Sequence, residues 1–223
     1  AVTPRTRVLL LNSPHNPTGK VFDRDELAVL ADLCRRHDLV AVTDEVYEHL
    51  TFDGIAHVPL ATLPGMAERT LTISSAGKSF SFTGWKVGFV AGPLELVAAL
   101  RTVKQFLTYV SGGPLQHAVA HALSMGDAVT DALADDLAAK RDRLCAGLSA
   151  AGFGVVRPQG TYFVIADIRP LGGSDGLEFC RALPARAGVV SVPTQVFYDD
   201  PGAGRHLFRF AFCKRDEVID DAV

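Results

Sequence analysis

The sequence has no cysteine pair at Cys-x-x-Cys spacing, no run of like charges, no low-complexity tract and no Gly-x-Gly-x-x-Gly turn. Each absence removes a class of protein. Cys34, Cys145, Cys180 and Cys213 stand far apart, with no histidine at metal-ligand spacing beside them, so neither a disulfide framework nor a metal centre is expected. They read as reduced thiols of a cytoplasmic protein. The balance of 22 Lys+Arg against 25 Asp+Glu leaves a net charge of −3, with no basic stripe for nucleic acid or an anionic membrane. No apolar stretch approaches the roughly 20 residues of a spanning helix, and the opening lacks the regions of a signal peptide. We therefore expect no nucleic-acid partner and no membrane partner.

What is present is enough apolar residue for a core: 48% of 223 residues, with 21% charged, which excludes a disordered or collagenous chain. The chain opens at Ala1 without a methionine and closes on an amphipathic helical pattern, residues 214–223, that stops without a cap; both ends read as cut from a longer protein. Residues 7–12 form an apolar run that leads into a Pro/Gly-rich loop, residues 13–20, and then into a helix over 24–37. Asp23 and Glu26 have the spacing of a capping box at its start. A second run (39–43) completes a β-α-β unit, and runs at 70–74 and 86–91 follow. Because these runs do not alternate, they suit strands covered on both faces. Helical periodicity then occupies 94–107, 115–123 and 128–148. Short strands are predicted over 154–157, 162–167, 189–192 and 206–212, with a helix over 177–186. The expected fold class is α/β: a mostly parallel sheet in a larger domain (residues 1–124) and a smaller α+β domain (125–223), with the boundary near residues 124–127.

In an open parallel sheet, ligands bind beyond the carboxyl ends of the strands. The first run is followed by His15-Asn16-Pro17-Thr18-Gly19, the second by Asp44-Glu45-Val46-Tyr47, and the third by Ser74-Ser75-Ala76-Gly77-Lys78-Ser79. An amide, a carboxylate, a phenol, hydroxyls and an ammonium are thus expected at one edge of the sheet. Gly77-Lys78-Ser79 looks like the end of a phosphate-binding P-loop, but that motif needs glycine where Thr72 stands and a helix directly after Ser79, where the sequence continues Phe80-Ser81-Phe82-Thr83-Gly84-Trp85.

Taken together, Asn16-Pro17-Thr18-Gly19, Asp44-Glu45-Val46-Tyr47, Ser74-Ser75-Ala76-Gly77-Lys78, Gly84-Trp85-Lys86-Val87-Gly88 and Phe208-Arg209-Phe210-Ala211-Phe212 resemble, in order, motifs of the fold-type I, pyridoxal-phosphate-dependent class I/II aminotransferases. The resemblance covers almost the whole chain and corresponds to the C-terminal three-fifths or so of a family chain. Ser-Pro-His-Asn-Pro-Thr-Gly and Thr-Asp-Glu-Val-Tyr-Glu-His-Leu are most similar to the branch of kynurenine aminotransferases and actinobacterial N-succinyldiaminopimelate aminotransferases. The fold implied is that of aspartate aminotransferase without its N-terminal part, which leaves the first strand at a sheet edge that other strands normally cover.

By this resemblance Lys78 is the lysine that forms an imine with pyridoxal 5'-phosphate and later carries a proton between the substrate α-carbon and the cofactor, a task that needs a primary amine. Asp44 would hold the pyridine nitrogen protonated. Tyr47 and Asn16 would hydrogen-bond the cofactor's O3′, and Ser75 and Lys86 would hold its phosphate. Many relatives have arginine at the position of Lys86, so the contact here is a point charge rather than a fork. Arg209 would bind the substrate carboxylate through its planar guanidinium, beside Asn16. The alternation of Phe208, Phe210 and Phe212 directs Arg209 to the opposite face of its strand.

Read singly, each of these residues has a plainer role: a solvated Lys78 or Lys86, a strand-end Asp44, a turn-forming Asn16, a buried Tyr47. His15, His49 and Trp85 read as loop or packing residues, Tyr162 and Phe163 as the entry to a strand near substrate, and Phe197 and Tyr198 as walls of a side-chain pocket. The resemblance implies amino-group exchange between an L-amino acid and a 2-oxo acid, in a homodimer for the full-length protein. β-Elimination on cysteine conjugates, or a non-catalytic effector-binding domain, stay open as alternatives.

Overall fold

In the computed structural model, which describes residues 2–223, the early apolar runs become parallel neighbours. Val8–Asn12 (β1), Val40–Asp44 (β2) and Thr70–Ser75 (β3) pair side by side, and Gly88–Ala91 (β4) joins β3 antiparallel, giving the order β1-β2-β3-β4. The helix α1 (Arg24–Arg36) links β1 to β2. Its first turn carries the expected capping box: Asp23 Oδ1 accepts from the Glu26 amide at 2.8 Å, and Glu26 Oε2 accepts from the Asp23 amide at 3.0 Å. Leu27, Ala31 and Cys34 on its inner face join Leu39, Ala41, Leu60, Leu63 and Met66 in one core, against which Leu9 and Leu11 pack.

Two sequence expectations change here. Among the described residues β1 is covered on one face only: Val8 and Leu10, which alternate with Leu9 and Leu11, are 53% and 76% exposed. Helix α1 covers only one side of β1. Lys86 does not begin a strand either, because its backbone is left-handed (φ 56°) at the end of a short turn, Thr83–Trp85, and β4 starts two residues later. Between these, a short helix α2 (Ala76–Ser79) follows β3 directly. Helices α3 (Leu94–Leu107) and α4 (Gly113–Leu123) come next, and no helix among the described residues is long and apolar enough to cross a membrane.

The loop after β2 is tied down by buried polar groups. Glu45, 3% exposed, accepts from the Leu60 amide at 3.4 Å and pairs with His57 Nε2 at 2.7 Å. Glu48 Oε1 accepts a hydrogen bond from the Ser74 hydroxyl at 2.6 Å. Burial pushes the Glu48 carboxyl above its ordinary value of 4.5 and Glu45 adds to this, while Ser74, His49 and His57 pull the other way.

The second half contains α5 (Ala128–Ala150), β5 (Gly154–Val156), β6 (Phe163–Asp167), α6 (Gly176–Ala187), β7 (Val192–Pro193), β8 (Leu207–Ala211) and α7 (Asp216–Ala222). Its sheet is antiparallel throughout, in the order β5-β6-β8-β7. Strand β7 is shorter than its valine-rich sequence predicts and lies later, and it stops at Pro193, which has no amide to donate. The core centres on Phe208, fully buried, with the rings of Phe153, Phe179 and Phe210 at 5.6, 5.0 and 5.2 Å between centroids.

The chain divides into two units: residues 2–14 with Val21–Leu133, and His15–Lys20 with Ala134–Val223. The division falls inside α5 rather than at residues 124–127, and it assigns the loop after β1 to the second unit. A helix that runs unbroken through a division leaves no Gly/Pro punctuation to read.

Phe208→Ala should lower stability by about 3–5 kcal/mol through cavity formation, measured by urea unfolding. For Glu48, a raised folded-state pKa means a contribution fully present below 4.5 and lost as pH rises through the raised value. Glu48→Gln cannot ionise, so it should gain stability relative to the parent as pH rises from acid to neutral; parallel stability–pH curves would contradict this.

Candidate active site

In the first unit, the parallel register sets Asn12 opposite Asp44 and Asp44 opposite Ile73, so the loops after β1, β2 and β3 begin at one level. Asn12 Nδ2 donates to the Asp44 carbonyl at 2.8 Å and to the Pro14 carbonyl at 3.2 Å. The Asp44 side chain, half-buried at the carboxyl end of β2, accepts from the Val46 amide at 3.3 Å. Its chain then turns so that Tyr47, 3% exposed, lies inside the unit. Lys78 projects from α2 with its Nζ 5.7 Å from the centre of the Tyr47 ring. Ser75 caps the start of α2 without a side-chain hydrogen bond to it. Gly77 is buried against Thr83, whose hydroxyl donates to the Gly77 carbonyl at 3.2 Å, and a Cβ on Gly77 would meet the Thr83 backbone at 2.9 Å. Lys86, exposed, lies just before β4, whose Gly88 pairs with Ser75.

Asn16 and Arg209 are brought together in the second unit. Arg209 Nη1 donates to Asn16 Oδ1 at 2.7 Å. Phe208 and Phe210 point into the core as the alternation predicts, and the Arg209 guanidinium lies on the other face, 4.0 Å from the Phe163 ring centre and 5.4 Å from that of Phe197. Phe163 reaches it because Ile165 pairs with Arg209 and Phe163 is the diagonal neighbour. The loop that presents Asn16 is held by its backbone. The Gly19 carbonyl accepts from the amides of both Gln159 and Gly160, each at 2.9 Å. Gly19 is left-handed (φ 71°), and a Cβ there would run into Pro158 and Gly160. Inside the loop, His15 Nδ1 lies 2.7 Å from the Thr18 hydroxyl, and burial lowers the pKa of the ring.

Behind this turn stands Arg141 on α5, 1% exposed, with Nε 2.8 Å from Asp142 Oδ1 and Nη1 3.3 Å from the Pro158 carbonyl. No motif in the sequence singles out Arg141 or Glu48, and Ser74 stands in it only as one of the hydroxyls at the sheet edge. Arg141 sits in a charged helical stretch that reads as surface, whereas the short Asp-Glu-Val-Tyr-Glu segment holds Glu48 within one turn of Tyr47. That spacing is the only signal the sequence carries for it.

The family model for aminotransferase class I and II matches residues 1–223. A probable N-succinyldiaminopimelate aminotransferase of Mycobacterium tuberculosis is 54% identical over 232 residues, which cover 100% of this chain and 58% of that protein. Kynurenine–oxoglutarate transaminase 3 of Mus musculus is 41% identical over 98% of this chain and 52% of its own. Among solved structures, the M. tuberculosis N-succinyldiaminopimelate aminotransferase superposes with a TM-score of 0.97 at 55% identity, over 100% of this chain and 58% of the other. Escherichia coli YbdL, described with a methionine aminotransferase function, superposes at 0.93 with 34% identity, over 99% and 58%. A Thermus thermophilus aspartate aminotransferase variant gives 0.87 at 33% identity, over 100% and 56%, which identifies the fold. The chain thus spans little more than half the length of the relatives it matches. Five ordered motifs, the strand ends they occupy and these likenesses agree: the chain belongs to the class I and II aminotransferase family, whose members depend on pyridoxal phosphate in general.

Proposed function

We propose that this chain carries the principal catalytic groups of a pyridoxal-5'-phosphate-dependent aminotransferase, which moves an amino group between an L-amino acid and a 2-oxo acid. The observation that carries the reading is Lys78 on α2 facing the buried Tyr47, with Asp44 at the adjoining strand end. The donor set suits the cofactor: a primary amine, a carboxylate, a phenol and a hydroxyl, all from the carboxyl ends of β2 and β3 and the segments that follow them in one unit.

Lys78 would attach the cofactor and move a proton from the substrate α-carbon through its Nζ. Asp44 would keep a proton on the ring nitrogen by its charge, and Tyr47 would donate its phenolic hydrogen to the ring oxygen. The Ser75 hydroxyl and the Lys86 ammonium would hold the phosphate. When bound, the cofactor supplies the electron sink for charge that develops at the α-carbon. Arg209 would clamp the substrate carboxylate with charge-assisted hydrogen bonds, its fork oriented by Asn16 and by the faces of Phe163 and Phe197. Asn16 would also reach the cofactor's ring oxygen.

The domains take corresponding parts: the first unit would be the end of the larger, cofactor-binding domain and the second unit the smaller one. The substrates named for the relatives include N-succinyldiaminopimelate, kynurenine and methionine, and the proposal commits to what suits Arg209, an α-amino acid head group. We assign the whole protein to the cytoplasm, in keeping with four free cysteines, and to a homodimer, the usual assembly of the family.

Borohydride reduction of the whole protein with pyridoxal phosphate, followed by peptide mass spectrometry, should place the label on Lys78, and Lys78→Ala should abolish both label and transamination. Substantial turnover in that variant would refute the role of Lys78. Arg209→Ala should weaken 2-oxo acid binding by about 30- to 100-fold, the equivalent of a charged hydrogen-bond pair, and leave cofactor affinity within a few-fold of the parent. Equal losses of both would contradict the carboxylate role.

A further inference from the structure

We infer that Ser74 and Glu48 form a strut that fixes the spacing between the loop bearing Tyr47 and the helix bearing Lys78, and so act as positioning residues for the bound cofactor. The inference rests on the function proposed above. Strands β2 and β3 are hydrogen-bonded neighbours up to the Asp44–Ile73 pair, where the two chains diverge toward their functional residues. The Glu45 amide still donates to the Ile73 carbonyl of β3 at 2.9 Å, and the chain after β2 then folds back on itself, the Glu48 amide donating to the Glu45 carbonyl at 2.9 Å and the Leu50 amide to the Tyr47 carbonyl at 2.8 Å. These turns return Glu48 to β3, where the Ser74 hydroxyl donates to its Oε1 at 2.6 Å. Glu48 directly follows Tyr47. Ser74 directly precedes Ser75, the cap of the helix that carries Lys78. A side-chain hydrogen bond therefore joins the immediate neighbours of the groups that must meet around one cofactor.

Stability alone is a poor reason to keep this pair. Ser74 is 3% exposed and Glu48 half-buried, and burying a carboxylate costs free energy that an apolar pair of similar size would not. The raised Glu48 pKa is the signature of that cost. The charged and titratable groups around it are His49, 3.5 Å from Glu48 Oε1, and the buried Glu45–His57 pair. What the hydrogen bond supplies is direction: a short O–H···O bond sets position and angle in a way that apolar contact does not. A phenol that donates to the cofactor's ring oxygen holds down the proton affinity of the neighbouring nitrogen, and a loosened Tyr47 lets that affinity rise.

The test is a pH titration of the visible absorption of protein-bound pyridoxal phosphate in the whole protein, with cofactor affinity and melting temperature measured alongside. Ser74→Ala and Glu48→Ala should each move the midpoint upward by about half a unit or more, the scale of one lost hydrogen bond, and weaken cofactor affinity several-fold. The double variant should shift no further than either alone. Glu48→Gln, whose amide oxygen still accepts from Ser74, should stay at the parental midpoint. If Glu48→Ala does not fold, Ser74→Ala with Glu48→Gln carries the comparison. Lower melting temperatures with an unmoved midpoint would make the pair merely structural and overturn the inference while Lys78 labelling still stands. An unsubstituted protein with neither the visible band nor label at Lys78 would remove the functional reading and the inference together.

Discussion

The parallel pairing of β1, β2 and β3 is the constraint on which the first unit depends. A parallel register sends consecutive strands out of the sheet in the same direction, so Asn12, Asp44 and the residues after Ile73 emerge at one level through backbone pairing. Chemistry-bearing residues far apart in sequence become neighbours through backbone hydrogen bonds. The side chains then refine what the backbone has already brought together. The Asn12 amide closes on the Asp44 carbonyl, the capping box fixes the entry of α1, and α2 follows β3 with no intervening loop.

Buried polar groups mark the places where this refinement is most demanding. Glu45 with His57, Glu48 with Ser74 and Arg141 with the Pro158 carbonyl each remove charge or hydrogen-bonding capacity from water, a costly arrangement unless partners are close and well aligned. All three brace a turn rather than a strand or helix. Turns have few backbone hydrogen bonds of their own, so a directional side-chain contact has most effect there. The apolar clusters around Leu27 and around Phe208 do the opposite work: they supply burial without direction and hold the regular elements.

Much of this was legible in the sequence because it rests on periodicity and on short motifs. The strands of the first unit, the helix opened by Asp23, the helical stretch that follows Gly92-Pro93 and the outward placement of Arg209 among Phe208, Phe210 and Phe212 all follow from patterns two to four residues long. What was not legible depends on contacts between distant backbones. The loop containing Asn16 reads as an appendage of β1, yet its attachment to Gln159 and Gly160 is made by amides and a carbonyl, which every residue except proline offers alike. Arg141 was hidden for a related reason: a charged residue in a charged helix gives no sign of burial.

The Gly19 carbonyl, which accepts two amides at once, bears on how this region tolerates change. Because the grip is made by main-chain atoms, replacing the side chain of Gln159 need not loosen it. The cost of that freedom falls on one position: Gly19 itself has neither the conformational latitude nor the room for any other residue. The hold on this turn is thus inherited through the conformation of one glycine rather than through the side chain at position 159.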